Sequence, residues 1–209
     1  LLDLIDSAGI ARTEVFAGDY LDEPQITIIS PTRDFYESLL PKFRNKLNFH
    51  WALEALEENS YSSKDDISDE TTLSKTLDDA TDDTSAHNQS SIVFLLETDE
   101  KQKFLFTGDA GRDAFNHVPQ TLLGKVKDVT WMKVPHHGSK HNLDSTIIKH
   151  VNPEIAYIST EKQGKYLNRS TVFALKKNGT KVYSTSQNRS TIRHGAIKTR
   201  EGWTKIEPM

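Results

Sequence analysis

Two short polar clusters, each at the end of an apolar run, hold the residues with the most chemical potential. Lys103-Phe-Leu-Phe106 leads to Thr107-Gly108-Asp109, and Asp128-Val-Thr-Trp-Met-Lys-Val134 leads through Pro135 to His136-His137-Gly138-Ser139. The chain has no cysteine, so a metal must be held by His, Asp, Glu or Asn. A carboxylate can bridge two ions through its two oxygens, and neutral imidazole suits zinc, manganese or iron. Gly108 and Gly138 let the backbone turn sharply without a Cβ beside an ion. A Gly-Asp pair after a strand is by itself usually a plain turn, and a His pair is about as often a surface feature. Only the two clusters together, at the ends of neighbouring apolar runs, suggest a site.

The elements that must carry these clusters follow from periodicity and breakers. Leu1 to Ala8 reads as a helix ending near Gly9, and Glu14 to Gly18 as a strand entering a turn. Gln25 to Ser30 is β-branched and apolar, hence a strand, which Pro31 ends. Asp34 to Leu40 predicts one or two helical turns before Pro41, and Ser91 to Leu96 a buried strand. Arg112 to Leu123 is helical with a break at Pro119, and Leu143 to Val151 is helical with Asp144 and Ser145 near its start. Glu154–Ile158 and Lys181–Tyr183 are strands, and Ser170–Lys177 is a helix stopped by Asn178-Gly179. Segments near Thr191–Ile197 and Trp203–Ile206 predict a closing hairpin. Strands first, then alternating strands and helices, make an α/β sheet with helices packed on it. In such sheets ligands collect at the carboxyl ends of strands, where both clusters lie.

The 209 residues suffice for one substantial core. No run approaches the roughly 20 apolar residues of a membrane span, and the absence of cysteine fits a cytoplasmic location. The net charge of −4 hides a split: residues 1–100 carry −15 and residues 101–209 carry +11. A basic half suits a polyanionic partner such as nucleic acid, or is an ordinary basic domain beside one acidic loop. That loop, about 54–86, is rich in Ser, Thr, Asp and Glu, and predicts a flexible insertion. Arg189, Arg193, His194, Lys198 and Arg200 form a basic tail able to track phosphates, without the interleaved aromatics of a dedicated single-strand binder.

Phe104-Leu-Phe-Thr-Gly-Asp109 followed by Lys133-Val-Pro-His-His-Gly-Ser139 resembles the metallo-β-lactamase superfamily, in the branch of the competence protein ComEC. Asn88-Gln-Ser-Ser91, Pro153-Glu-Ile-Ala-Tyr-Ile-Ser159 and Lys181-Val-Tyr-Ser-Thr185 are similar to further segments of that branch, so the resemblance spans roughly 88–194. It implies an αββα sandwich, here the C-terminal part of one such domain over 1–209, and a site for one or two Zn or Mn ions. Asp109 would be the bridging carboxylate. His137 would be a metal ligand or a phosphate contact, and His136 its partner in one of those roles, with His136 and Asp109 as the catalytic pair. Ser139, Lys140, Asn88 and Asn168 are the candidates for holding an anionic substrate, although a loop lysine is most often simply solvated.

The sequence departs from the family pattern in two places. The His-x-His-x-Asp-His motif that supplies most ligands is absent; the histidines are His50, His87, His117, His136, His137, His141, His150 and His194. With Leu as the first residue, the missing ligands are expected upstream of Leu1. Asn168 also stands where relatives place a His, in Tyr166-Leu-Asn-Arg169. The leading expectation is a metal-dependent hydrolase of phosphodiesters, a nuclease in the broad sense. The alternative is an inactive module kept for binding nucleic acid or a partner, and hydrolysis of a lactam, lactone or thioester ranks below both. His141, His150 and His194 are expected at the surface, as is His87 beside the acidic loop.

Overall fold

The computed structural model describes residues 2–9, 11, 13–44, 73, 76–160, 167–185, 192–194, 201–202 and 204–209. Helix α1 (Leu2–Ser7) precedes the short strand β1 (Tyr20–Leu21), strand β2 (Gln25–Ser30) and helix α2 (Arg33–Arg44). The short helix α3 (Ala86–Gln89) leads into the β3 (Val93–Glu97) and β4 (Lys103–Phe106) pair. Helices α4 (Arg112–Asn116) and α5 (Gln120–Leu123) follow, then β5 (Trp131–Lys133) and a tight turn at Pro135–Gly138. Helix α6 (Ser145–Val151), β6 (Ile155–Ile158), α7 (Arg169–Lys177) and β7 (Lys181–Ser184) complete the main body. Strands β1 to β7 form one mixed sheet in sequence order, antiparallel from β1 to β4 and parallel from β4 to β7.

Local chemistry explains the better-defined elements. Asp144 caps α6 by accepting the Ile147 N–H at 2.8 Å, and Asn168 caps α7 by accepting the Ser170 N–H at 2.9 Å. Gly179, at φ 90°, turns the chain from α7 into β7. The alternation of each strand separates two unlike faces. Leu95, Leu105, Met132, Ala156, Ile158 and Val182 are at most 1% exposed and pack with residues of α2, α4, α6 and α7 in one core. The opposite face carries Phe94, Phe106, Trp131, Tyr157 and Tyr183, one per strand from β3 to β7, with successive ring centroids 4.7–5.7 Å apart. Four of these five rings are only half-buried.

Several sequence expectations need correction. Glu14–Gly18 is a loop and turn, and the edge strand starts at Tyr20. Helix α2 runs through Pro41, since a proline removes one internal hydrogen bond but its φ suits a helix, and the Phe35 and Leu39 face remains buried. The strand expected over Asp128–Val134 is regular only from Trp131 to Lys133, because Asp128 sits at φ 52°. Among the described residues no hairpin closes the chain. Instead β8 (Ile192–Arg193) and β9 (Thr204–Lys205) pair in parallel, and Trp203 lies outside the described residues. Most of the acidic stretch also lies outside them, but within residues 76–86 Leu77, Ser85 and Ala86 are buried. No described helix is long and apolar enough to cross a membrane.

Candidate functional site

The parallel strands β4 and β5 deliver Asp109 and the His136-His137-Gly138 turn to the same edge of the sheet. The turn is strained. His136 (φ 41°), His137 (φ 55°) and Gly138 (φ 88°) lie consecutively in the left-handed region, which costs a non-glycine residue on the order of 1–3 kcal/mol. Neighbouring elements hold it in place. The His136 N–H donates to Gly108 O at 3.3 Å, and the Asn168 N–H donates to Gly138 O at 3.3 Å. Thr107 Oγ1 donates to Lys133 O at 2.7 Å, tying the two strand ends together. A side chain at Gly138 would meet Ile158 at 3.2 Å, and one at Gly108 would meet the Ser91 Cβ at 2.8 Å. Both glycines are required by positive φ and by close approach alike.

The two histidines differ in setting but share one feature. His136 Nδ1 lies 3.3 Å from Asp83 Oδ2, and His137 Nδ1 donates to the backbone carbonyl of Ser159. A carboxylate and a carbonyl can only accept, so each Nδ1 carries the proton, and in the neutral ring the lone pair is on Nε2. A histidine that donates one ring N–H to a protein oxygen is in the usual arrangement for metal ligation through the other nitrogen.

Asp83 is held by more than His136. Its Oδ2 accepts from Asn88 Nδ2 and Asn142 Nδ2, both at 2.9 Å, and its Oδ1 accepts the Ser85 N–H at 2.8 Å. Burial works to raise its pKa, but these hydrogen bonds together outweigh burial and hold the carboxyl below its ordinary value. Burial likewise opposes the charged form of His136. The hydrogen bond and charge of Asp83, the charge of Asp109 and a hydrogen bond with Asn142 prevail, so the His136 pKa is raised. Lys133 Nζ donates to Gly108 O at 2.6 Å and lies 3.5 Å from Asp109 Oδ1. Its pKa is lowered by burial, with Asp109 opposing.

The strap from Leu77 to Gln89 brings Asp83 here. Arg112, 7% exposed, donates to the carbonyls of Leu77, Ala80, Lys140 and Leu143 and pairs with Asp82 at 3.0 Å. One side chain thus clamps the strap to the loop that follows the histidines. The Asp83 N–H donates to His141 O at 3.1 Å, and His141 Nδ1 lies 2.6 Å from Thr81 O. His141 is therefore buried in the strap contact and not at the surface as expected. His87 is exposed, as expected, with its ring edge-on to Phe43.

Of the sequence candidates, Asp109, His136 and His137 lie on one edge, and Asn88 reaches it through Asp83. Ser139 is buried and accepts the His141 N–H at 3.2 Å, a structural contact. Lys140 meets Arg112 through its backbone carbonyl. Asn168 adjoins Gly138 through its backbone, while its Oδ1 accepts from both the N–H and the hydroxyl of Ser170. Sequence reasoning missed Asp83, Asn142, Lys133 and Arg112 as site residues. Lys133 stood inside the quoted motif, whereas Asp83 was one acidic residue among many.

A structural zinc takes four ligands and a catalytic one three plus water. Imidazole and carboxylate are suitable donors, yet among the described residues no group of three or more His, Cys, Asp or Glu is placed to hold a metal ion. The donor chemistry at this edge fits a divalent ion and the donor number does not complete its shell.

No family model matches the chain, and no solved structure matches it. It is similar to the ComE operon protein 3 of Bacillus subtilis (strain 168), at 30% identity over 128 residues. The matched region is 60% of this chain and 16% of that protein, so the chain corresponds to a small part of the relative's length.

Proposed function

We propose that this edge is part of the active site of a metal-dependent hydrolase with the metallo-β-lactamase fold, acting on phosphodiester bonds such as those of DNA or RNA. The observation that carries the reading is the setting of the two histidines, each with Nδ1 facing a protein oxygen, the arrangement in which a neutral ring ligates a metal through Nε2. In this reading Asp109 and His137 are ligands, His136 acts beside them, and further ligands come from residues other than those described. A bound Zn or Mn ion would supply a water of lowered pKa. Asp83 fixes the ring of His136, and Asn88 and Asn142 fix Asp83. Lys133 places a cation beside Asp109, where it can meet a phosphate oxygen.

Two further observations support the fold and the branch. The uneven sheet, aliphatic under its helices and aromatic on the open face, suits packing against a second sheet about 10 Å away, as in a sandwich. The likeness to ComE operon protein 3 agrees with the motif resemblance. The test is hydrolysis of bis-p-nitrophenyl phosphate and of DNA and RNA by the protein at its full natural length, with Mn or Zn, beside Asp109→Ala. Activity lost in the variant is the expected result, and equal activity in both would sink the assignment.

A second reading, a non-catalytic module that binds nucleic acid or a partner, draws on Asn168. Where the resemblance places a His, the side chain present is engaged in capping α7. Catalytic turnover by the full-length protein would remove this reading.

A further inference from the structure

Helix α7 has two stripes with apolar residues, and among the described residues only one is fully covered. Ser170, Thr171, Ala174 and Leu175 face the sheet and are buried. Arg169, Val172, Phe173 and Lys176 follow the i, i+3, i+4, i+7 spacing of a second face. A surface helix normally carries polar residues throughout that face. Here Val172 and Phe173 are half-exposed in a groove of about 570 Å³ that Leu73, Leu167 and Met209 also line. Arg169 and Lys176 stand at its two ends, and Lys177 Nζ lies 5.8 Å from the Phe173 ring centroid. No carboxylate is among the described lining residues, so the groove pairs an aliphatic and aromatic floor with a cationic rim.

We propose that this groove receives an acidic amphipathic helix from a partner protein. The floor calls for apolar side chains and the rim for carboxylates, and an amphipathic helix presents both at matching spacing. A bare polyanion would meet the cations but leave Leu167, Val172 and Met209 uncovered. Phe173 alone gives one stacking platform, where single-strand binders use several. The rim charges speed association and make it sensitive to salt. The proposal does not rest on the metal-site reading, because no residue of the groove belongs to the proposed ligand set.

The experiment is selection of a displayed library of helical peptides, with acidic, basic and apolar residues randomised, against the protein at its full natural length. The expected winners combine apolar residues at i, i+3, i+4 or i+7 with flanking Asp or Glu. A synthetic winner should shift the amide resonances of α7. Arg169→Glu with Lys176→Glu should weaken it at least tenfold, and a peptide with Lys for Glu should rescue binding to that variant. Arg169→Glu gains a favourable interaction with the helix dipole and Lys176→Glu loses one, so the two roughly offset; an unchanged circular dichroism melt checks that folding is retained. Failure to enrich any peptide, enrichment of basic or uncharged ones, or shifts elsewhere on the molecule would overturn the proposal. So would displacement of the peptide from α7 by a 12-nucleotide oligo-dT or by phosphatidylglycerol vesicles, which would assign the groove to a nucleic acid or a membrane.

Discussion

The turn at residues 135–142 and the strap at residues 77–89 build one site from opposite kinds of sequence. The turn is rich in special residues, with one glycine and two adjacent histidines in the left-handed region and a second glycine, Gly108, packed against it. The strap is compositionally bland and acidic, yet it supplies Asp83, the residue that orients His136. Chemistry concentrates where the backbone is unusual, while the support can come from any segment whose side chains reach. Strain at the turn persists because the strap, Asn168 and Gly108 over-determine it.

Undoing the clamp should have the largest effect. Arg112→Leu leaves the carbonyls of Leu77, Ala80, Lys140 and Leu143 without their donor, and is expected to cost about 3–5 kcal/mol in a denaturant titration. Hydrogen exchange should show residues 77–89 opening before the sheet does.

Removing Asp83 is the next largest change. Asp83→Ala strips the acceptor from Asn88, Asn142, the Ser85 N–H and His136, at a cost of about 2–3 kcal/mol. The pH dependence has a definite sign in the metal-free protein. His136 has a raised pKa, so its contribution is complete below the unfolded value of 6.5 and fades as pH rises through the folded one. Asp83 has a lowered pKa, so its contribution is complete above 3.8 and fades as pH falls through the folded value. The stability gap between wild type and Asp83→Ala should therefore be widest between these two limits. A gap that grows steadily above pH 7 would contradict the pairing. The remaining hydrogen bonds to Asp83 should keep the gap above zero at high pH.

Gly138→Ala should have the smallest effect, about 1–3 kcal/mol in thermal unfolding, from its φ of 88° and the 3.2 Å approach of Ile158. If the alanine variant were as stable as wild type, the turn would be looser than the structure shows.

The sequence revealed much of this architecture through local signals. The β2, β3, β6 and β7 strands, the start of α6 at Asp144, the Asn178-Gly179 stop of α7, and the Asp109 and His136–His137 clusters all announced themselves by breakers or periodicity. What stayed hidden depended on distant partners. Leu77 and Asp83 look like members of a solvated acidic run until Arg112 and His136 are placed against them. The aromatic ladder was equally silent, because Phe94, Trp131, Tyr157 and Tyr183 become neighbours only through strand register. Asn168 showed a departure from the family pattern, but not that its side chain would cap a helix.

A metal centre that includes Asp109 and His137 must show itself as bound metal. Elemental analysis of the protein at its full natural length, purified without chelator, tests it most directly. One or two Zn or Mn ions per chain are expected, with at least one lost in His137→Ala and in Asp109→Ala while both variants keep a native circular dichroism spectrum. A metal-free wild type, or variants with undiminished metal, would contradict it.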